Sequence, residues 1–184
     1  MNTVAETVRF TFRDAGLDDS DAIVALVESA YRGEASKQGW TSEADMLDGQ
    51  RIDMAGVQEL IAKPDSVIVL AESAGDLLAC AHVEKLDSAG YFGMFSVRPT
   101  RQGGGIGHAM LAEAERIARD DWQRGEMQMT VISIRNELIA WYERRGYRRT
   151  GVYKAFPYGD ERFGIPKRDD LRFELLAKSL IRPV

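Results

Sequence analysis

The chain of 184 residues is short of several things that would mark out whole classes of protein. It has a single cysteine, Cys80, so no internal disulfide can form and no cysteine cage for a metal is available. Only two histidines and five prolines are present. No apolar run approaches the roughly 20 residues needed to cross a bilayer. Met1 to Val8 is polar, so no secretory leader is expected. Basic residues do not exceed acidic ones: 24 stand against 29, a formal net charge of −5, which disfavours a general nucleic-acid binder. Repeats, linkers and low-complexity stretches are also missing. What remains is an ordinary globular composition, expected to form one domain over residues 1–184 in a reducing, cytoplasmic compartment, without a metal or a membrane partner.

Periodicity then orders the chain. Val8, Phe10 and Phe12 alternate with polar residues as a first strand. Asp18 or Asp19 caps a helix whose stripe is Ile23, Leu26, Val27, Ala30 and Tyr31. Gly33 to Gly39 breaks it. A second helical stretch is predicted from about Thr41, with Ser42 and Asp45 near capping-box spacing, in two pieces to Lys63 before Pro64. Strands are expected at Ser66–Ala71, Leu77–Glu84, Tyr91–Val97, Met127–Ile134, Tyr147–Tyr153 and Leu171–Leu176, with helices after Gly107 and over Glu137–Arg145. The order β-α-α-β-β-β-α-β-α-β-β implies an α/β fold: a mixed central sheet of about seven strands with helices on both faces.

The most informative stretch is Gln102-Gly103-Gly104-Gly105-Ile106-Gly107-His108, between a strand and a helix. Helix N-termini present N–H groups without intrahelical partners, and glycines let a phosphate approach them. A P-loop would continue as Gly-Lys-Ser/Thr, but here Gly107 is followed by His108 and Ala109. A dinucleotide fingerprint would need a third glycine where His108 stands.

This run, from Val97 onward, resembles motif A of the GNAT superfamily of N-acetyltransferases, Gln/Arg-x-x-Gly-x-Gly/Ala, with Gln102, Gly105 and Gly107 at the defining positions. Asn136 to Tyr147, NELIAWYERRGY, resembles the family's motif B. The resemblance implies acetyl-coenzyme A (acetyl-CoA) as co-substrate, with its pyrophosphate held by residues 102–108. It also implies a splayed strand whose Phe95, Ser96 and Val97 offer backbone groups to pantetheine. Asn136 would contact a pantetheine amide, or simply cap its helix. Tyr142 would protonate the departing thiolate, or sit as a core tyrosine on its helix stripe. A homodimer is expected by the same likeness.

The implied reaction is direct attack of a primary amine, on a small molecule or a peptide, on the thioester. Cys80 lies in an apolar strand without a partner base and reads as structural. Glu84 is chosen as the general base over His82, Glu43 and Asp45. Trp40, Glu43 and Asp45 are expected to hold a cationic amine, with the loop from Tyr158 to Pro166 closing the same pocket. Two other readings stand beside this one. One is a non-catalytic acyl-CoA sensor of the same fold. The other is an acetyltransferase acting on aminoacyl-tRNA, for which Arg144, Arg145, Arg148 and Arg149 supply a local basic patch.

Overall fold

The computed structural model describes residues 9–181, so Val8 and the opening Met1–Val8 stretch lie outside the described residues. Strands β1 (Thr11–Asp14), β3 (Ser66–Ser73), β4 (Asp76–Lys85), β5 (Gly90–Val97), β6 (Glu126–Ile132), β7 (Arg148–Ala155) and β9 (Arg172–Ser179) form one seven-stranded sheet. The order across it is β1-β3-β4-β5-β6-β9-β7. All its pairings are antiparallel except β5 with β6. The mixed α/β sheet expected from the sequence is therefore present.

Two-residue alternation along β3 builds two cores. Val69 and Ala71 join the cluster that contains Met110, Leu111 and Ala114 of helix α4 (Ile106–Arg116). Ile68 and Leu70 join Ile23, Leu26 and Val27 of α1 (Ser20–Tyr31) and Val57 of α3 (Met54–Ala62). The segment just after α4 packs closely because β5 starts with glycine: a Cβ at Gly90 would stand 2.6 Å from that of Ala118. Beyond α4 the chain makes one wider π turn at Ile117–Asp121 before β6.

The helical stretch predicted from Thr41 begins only at Met54, where Asp53 caps α3 by accepting from the Gly56 N–H at 2.8 Å. Ser42 and Asp45 form no capping box. The Ser42 hydroxyl instead meets Ser36 Oγ at 2.6 Å and accepts from the Ala44 N–H. Tertiary contact overrides the local pattern here. Leu47 is buried against Ile132, Phe156 and Leu171, and β2 (Leu47–Asp48) pairs with β8 (Ile165–Pro166). The break expected at Gly33 contains a one-turn helix, α2 (Gly33–Ser36). Asp19 does precede α1, but its carboxylate serves Arg13 and the Gly16 N–H rather than the helix. Helix α5 (Asn136–Glu143) ends near the expected glycine, with Gly146 in the left-handed region at φ 92°.

His82 is buried in β4, and its Nε2 lies 2.7 Å from Ser66 Oγ. The serine's single hydrogen goes to the Leu60 carbonyl, which makes His82 Nε2 the donor. Burial pushes the imidazole down to about 4; Glu84 opposes that shift and Lys63 adds to it. A base with a lowered folded-state pKa binds fewer protons than it does unfolded, so its stabilisation is present above about 6.5 and lost as pH falls towards 4. Urea unfolding across that window should show a loss on the order of 3 kcal/mol assignable to this group. His82→Gln, which keeps an N–H for Ser66, should flatten the slope there; an unchanged slope would refute the assignment.

Candidate active site

The sheet opens where its parallel pair begins. Strands β5 and β6 pair only at Gly90–Met127 and Tyr91–Gln128, then part. The Tyr91 hydroxyl meets Thr130 Oγ1 at 3.1 Å across the start of the gap. On the other side of β5, the register with β4 slips between Cys80 and His82, and Met94 takes φ 48°. A β-bulge with a non-glycine residue in the left-handed region costs about 1–3 kcal/mol and recurs at functional sites.

Two cavities flank the gap and share Tyr31, Phe95, Arg135, Leu138 and Tyr142. The first, about 450 Å³, runs along the glycine-rich turn. Gly103 (φ 88°) and Gly105 (φ 80°) have open space where a Cβ would point, and Gly105 precedes the first residue of α4. The Ala109 N–H closes on the Gly105 carbonyl at 3.0 Å; earlier amides fall in the turn whose N–H groups a helix leaves unpaired. Arg101, His108, Arg135, Arg144 and Arg145 line this cavity, and no carboxylate does so among the described residues. Arg145 lies 3.5 Å over the Trp141 ring, and burial lowers its pKa. Arg148 and Arg149 are spent elsewhere, against Glu126 and against Glu143 and Glu174, which divides the basic patch seen in the sequence.

Of the residues expected at the cofactor, Phe95, Val97, Gln102, Gly103, Gly105, Ile106, Gly107 and His108 line this cavity. Gly104 does not, the Ser96 side chain is buried, and Asn136 is exposed, lining neither cavity. Asn136 is also not the cap, because Arg135 stands before it. The Phe95 carbonyl is already engaged by the Tyr31 hydroxyl at 2.7 Å. The Gln102 amide bridges to the Trp40 N–H (2.9 Å) and the Val97 carbonyl (3.3 Å), tying the segment after α2 to the glycine-rich turn.

Trp40 is expected from the sequence to help hold the acceptor amine. It lines the first cavity only, with its ring 6.4 Å from that of Trp141. Asp45 is 91% exposed, pairs with Lys37 and lines neither cavity. Glu84, chosen as base, also lines neither: it sits on β4 with Lys63 at 2.6 Å. Cys80 is buried in the α1–α3 core, and burial pushes its thiol up to about 12, as suits a structural role.

The second cavity, about 280 Å³, has walls of Phe92, Met129, Phe156 and Phe173 and a polar end at Arg32, Glu43, Arg51 and Arg135. Pro157 and Phe163 place the Tyr158–Pro166 loop at its edge. Glu43 accepts from Arg32 at 2.7 Å and from Arg135 at 2.9 Å. Burial alone would raise its pKa, but Arg135, Arg51 and Arg32 reverse the sign and hold the carboxyl below its usual value. Both oxygens are thus committed to guanidinium groups, so Glu43 is no free anion for an amine. Tyr142 is 4% exposed, and its hydroxyl has no hydrogen-bond partner among the described residues, although it borders both cavities. Burial raises its pKa, so it stays protonated. Arg32, Arg51 and Arg135 carried no recognisable signal in the sequence; only the approach of distant segments reveals them.

Residues 64–149 match the family model described as an acetyltransferase (GNAT) domain. Solved structures share the fold at low identity. An N-acetyltransferase from Staphylococcus aureus Mu50 aligns at 9% identity and TM-score 0.69, over 95% of this chain and 99% of that one. The ribosomal-protein-S18-alanine N-acetyltransferase from Escherichia coli aligns at 14% and 0.65, over 96% and 97%. A GNAT family acetyltransferase from Elizabethkingia anophelis with acetyl-CoA bound aligns at 13% and 0.56, over 67% and 80%. No curated protein sequence matches the chain. Among the described residues, no helix is long and apolar enough to cross a membrane, and no group of three or more histidine, cysteine or acidic side chains could hold a metal ion.

Replacing Glu43 with Gln would leave Arg32 and Arg135 buried beside an uncharged amide. Removing one partner of such a network costs about 3–5 kcal/mol. Thermal and urea unfolding should show a loss of that size; wild-type stability in Glu43→Gln would contradict the structural role.

Proposed function

We propose that this chain, which carries a GNAT acetyltransferase domain, moves an acetyl group from acetyl-CoA to a primary amine by direct attack, as one domain. The observation that carries this reading is the first cavity: cationic, free of carboxylates, and bordered by the glycine-opened N-terminus of α4, in a chain of net charge −5. Such a surface suits a polyanionic ligand, and the acetyl-CoA of the Elizabethkingia relative supplies the chemical precedent.

The residues present fit that ligand. Amides at the start of α4, with Arg101, Arg144 and Arg145 nearby, would hold phosphates, as charge-assisted hydrogen bonds favour. Phe95 and Val97 on the parted edge of β5 would face the pantetheine, whose amides can pair with free backbone groups. When bound, the thioester supplies the activated acetyl group. An amine entering from the second cavity would reach it past the shared wall at Phe95 and Tyr142. Holding the two reactants in one orientation accounts for much of the rate. Tyr142 is the proton donor to the leaving sulfur: its hydroxyl has no hydrogen-bond partner among the described residues and the side chain borders both cavities. Glu43, the one carboxylate of the second cavity, has both oxygens on arginines, so the amine sheds its proton to water.

Isothermal calorimetry with acetyl-CoA tests the binding step. Uptake that weakens steeply with salt is expected, and no uptake by folded protein would overturn the proposal. Tyr142→Phe should lower kcat by roughly 10²-fold, within the usual span for a general acid, while leaving acetyl-CoA affinity near wild type. Unchanged kcat in that variant would remove Tyr142 from proton transfer.

A further inference from the structure

Resting on that transfer reading, we infer that the acceptor is a small primary amine that also carries an acidic group, and that Arg51 binds the acid. The second cavity presents three guanidinium groups, Arg32, Arg51 and Arg135, against one carboxylate, Glu43. Glu43 bonds to Arg32 and Arg135 and its single charge is shared between them, so the three guanidinium groups keep a surplus of positive charge. Arg51 is different. Its guanidinium makes no hydrogen bond and no ion pair among the described residues: it acts on Glu43 only through space and lies 5.2 Å from the centre of the Tyr31 ring. A half-buried cation beside apolar walls, with no directly bonded counterion in a cavity of surplus positive charge, is a site for an anion.

The placement is also built. The backbone N–H groups of Arg51 and Ile52 both donate to Glu28 Oε1, at 2.6 and 2.9 Å. The root of the side chain is therefore pinned to α1. Tyr31 spans the distance that matters: its ring lies under Arg51, and its hydroxyl reaches the Phe95 carbonyl on the wall shared with the first cavity. Acid and amine of the acceptor thus need only a short molecule between them. A cavity of about 280 Å³ agrees, lying at or below the roughly 300–1,000 Å³ typical of drug-sized ligands. Phe156, Phe163 and Phe173 give an apolar substituent somewhere to lie. The same surplus of positive charge repels a polycationic acceptor, reversing the cationic pocket expected from Trp40, Glu43 and Asp45.

The test is thiol release from acetyl-CoA with matched pairs at fixed pH and ionic strength: leucine against leucinamide, phenylalanine against phenylalaninamide, and 2-aminoethylphosphonate against ethylamine. At least one acid-bearing member should exceed its neutral partner in kcat/KM by roughly tenfold or more, the weight of a charge-assisted hydrogen bond. The carboxylate and phosphonate arms identify which acid is used. Arg51→Ala should erase that preference through KM, and Arg51→Lys should restore part of it. Neutral amines that react as well as their acidic partners, or a preference that survives Arg51→Ala, would overturn the inference while leaving the transferase reading intact. Bound acetyl-CoA with no turnover of any amine would overturn both.

Discussion

The separation of two parallel strands governs the site. Strands β5 and β6 share only two register pairs before they part, and every later feature uses the space this opens. The parting exposes the edge of β5, places Phe95 between two cavities and lets Tyr142 from α5 stand at the junction. It is stabilised rather than accidental. Tyr91 and Thr130 bond across its beginning, while the bulge at Met94 turns β5 away from regular pairing with β4. An open sheet edge inside a fold leaves backbone groups unpaired, which is costly unless a ligand or solvent satisfies them.

Charge is divided between the two cavities on the same logic. The chain as a whole is acidic, yet both cavities are lined by arginine. Around the glycine-rich turn nothing opposes that charge, as suits a diphosphate. In the second cavity Glu43 absorbs part of it and braces two arginines, leaving Arg51 as the uncommitted group. Both oxygens of this carboxylate already accept from guanidinium groups, which fixes it as part of the scaffold. Gln102 ties the segment after α2 to the glycine-rich turn.

What could be read from the sequence followed from periodicity and local chemistry. Alternation set the strands and their faces, and the helix stripes set α1 and α4. Glycines between a strand and a helix marked the turn that opens α4, because unpaired N–H groups and absent Cβ atoms are properties of adjacent residues. Tyr142 was singled out by its helix stripe and the resemblance around it, and it stands between the two cavities. Tertiary structure alone decided the acceptor side. Residues 41–53 abandoned their helical pattern because Leu47 found a core and β2 found β8. Arg32, Arg51 and Arg135 meet from three separate segments, and long-range convergence of charges leaves no local pattern. Glu84 and Asp45 offered the same carboxyl group as Glu43, but only their three-dimensional neighbours separate surface ion pairs from the group buried in the site.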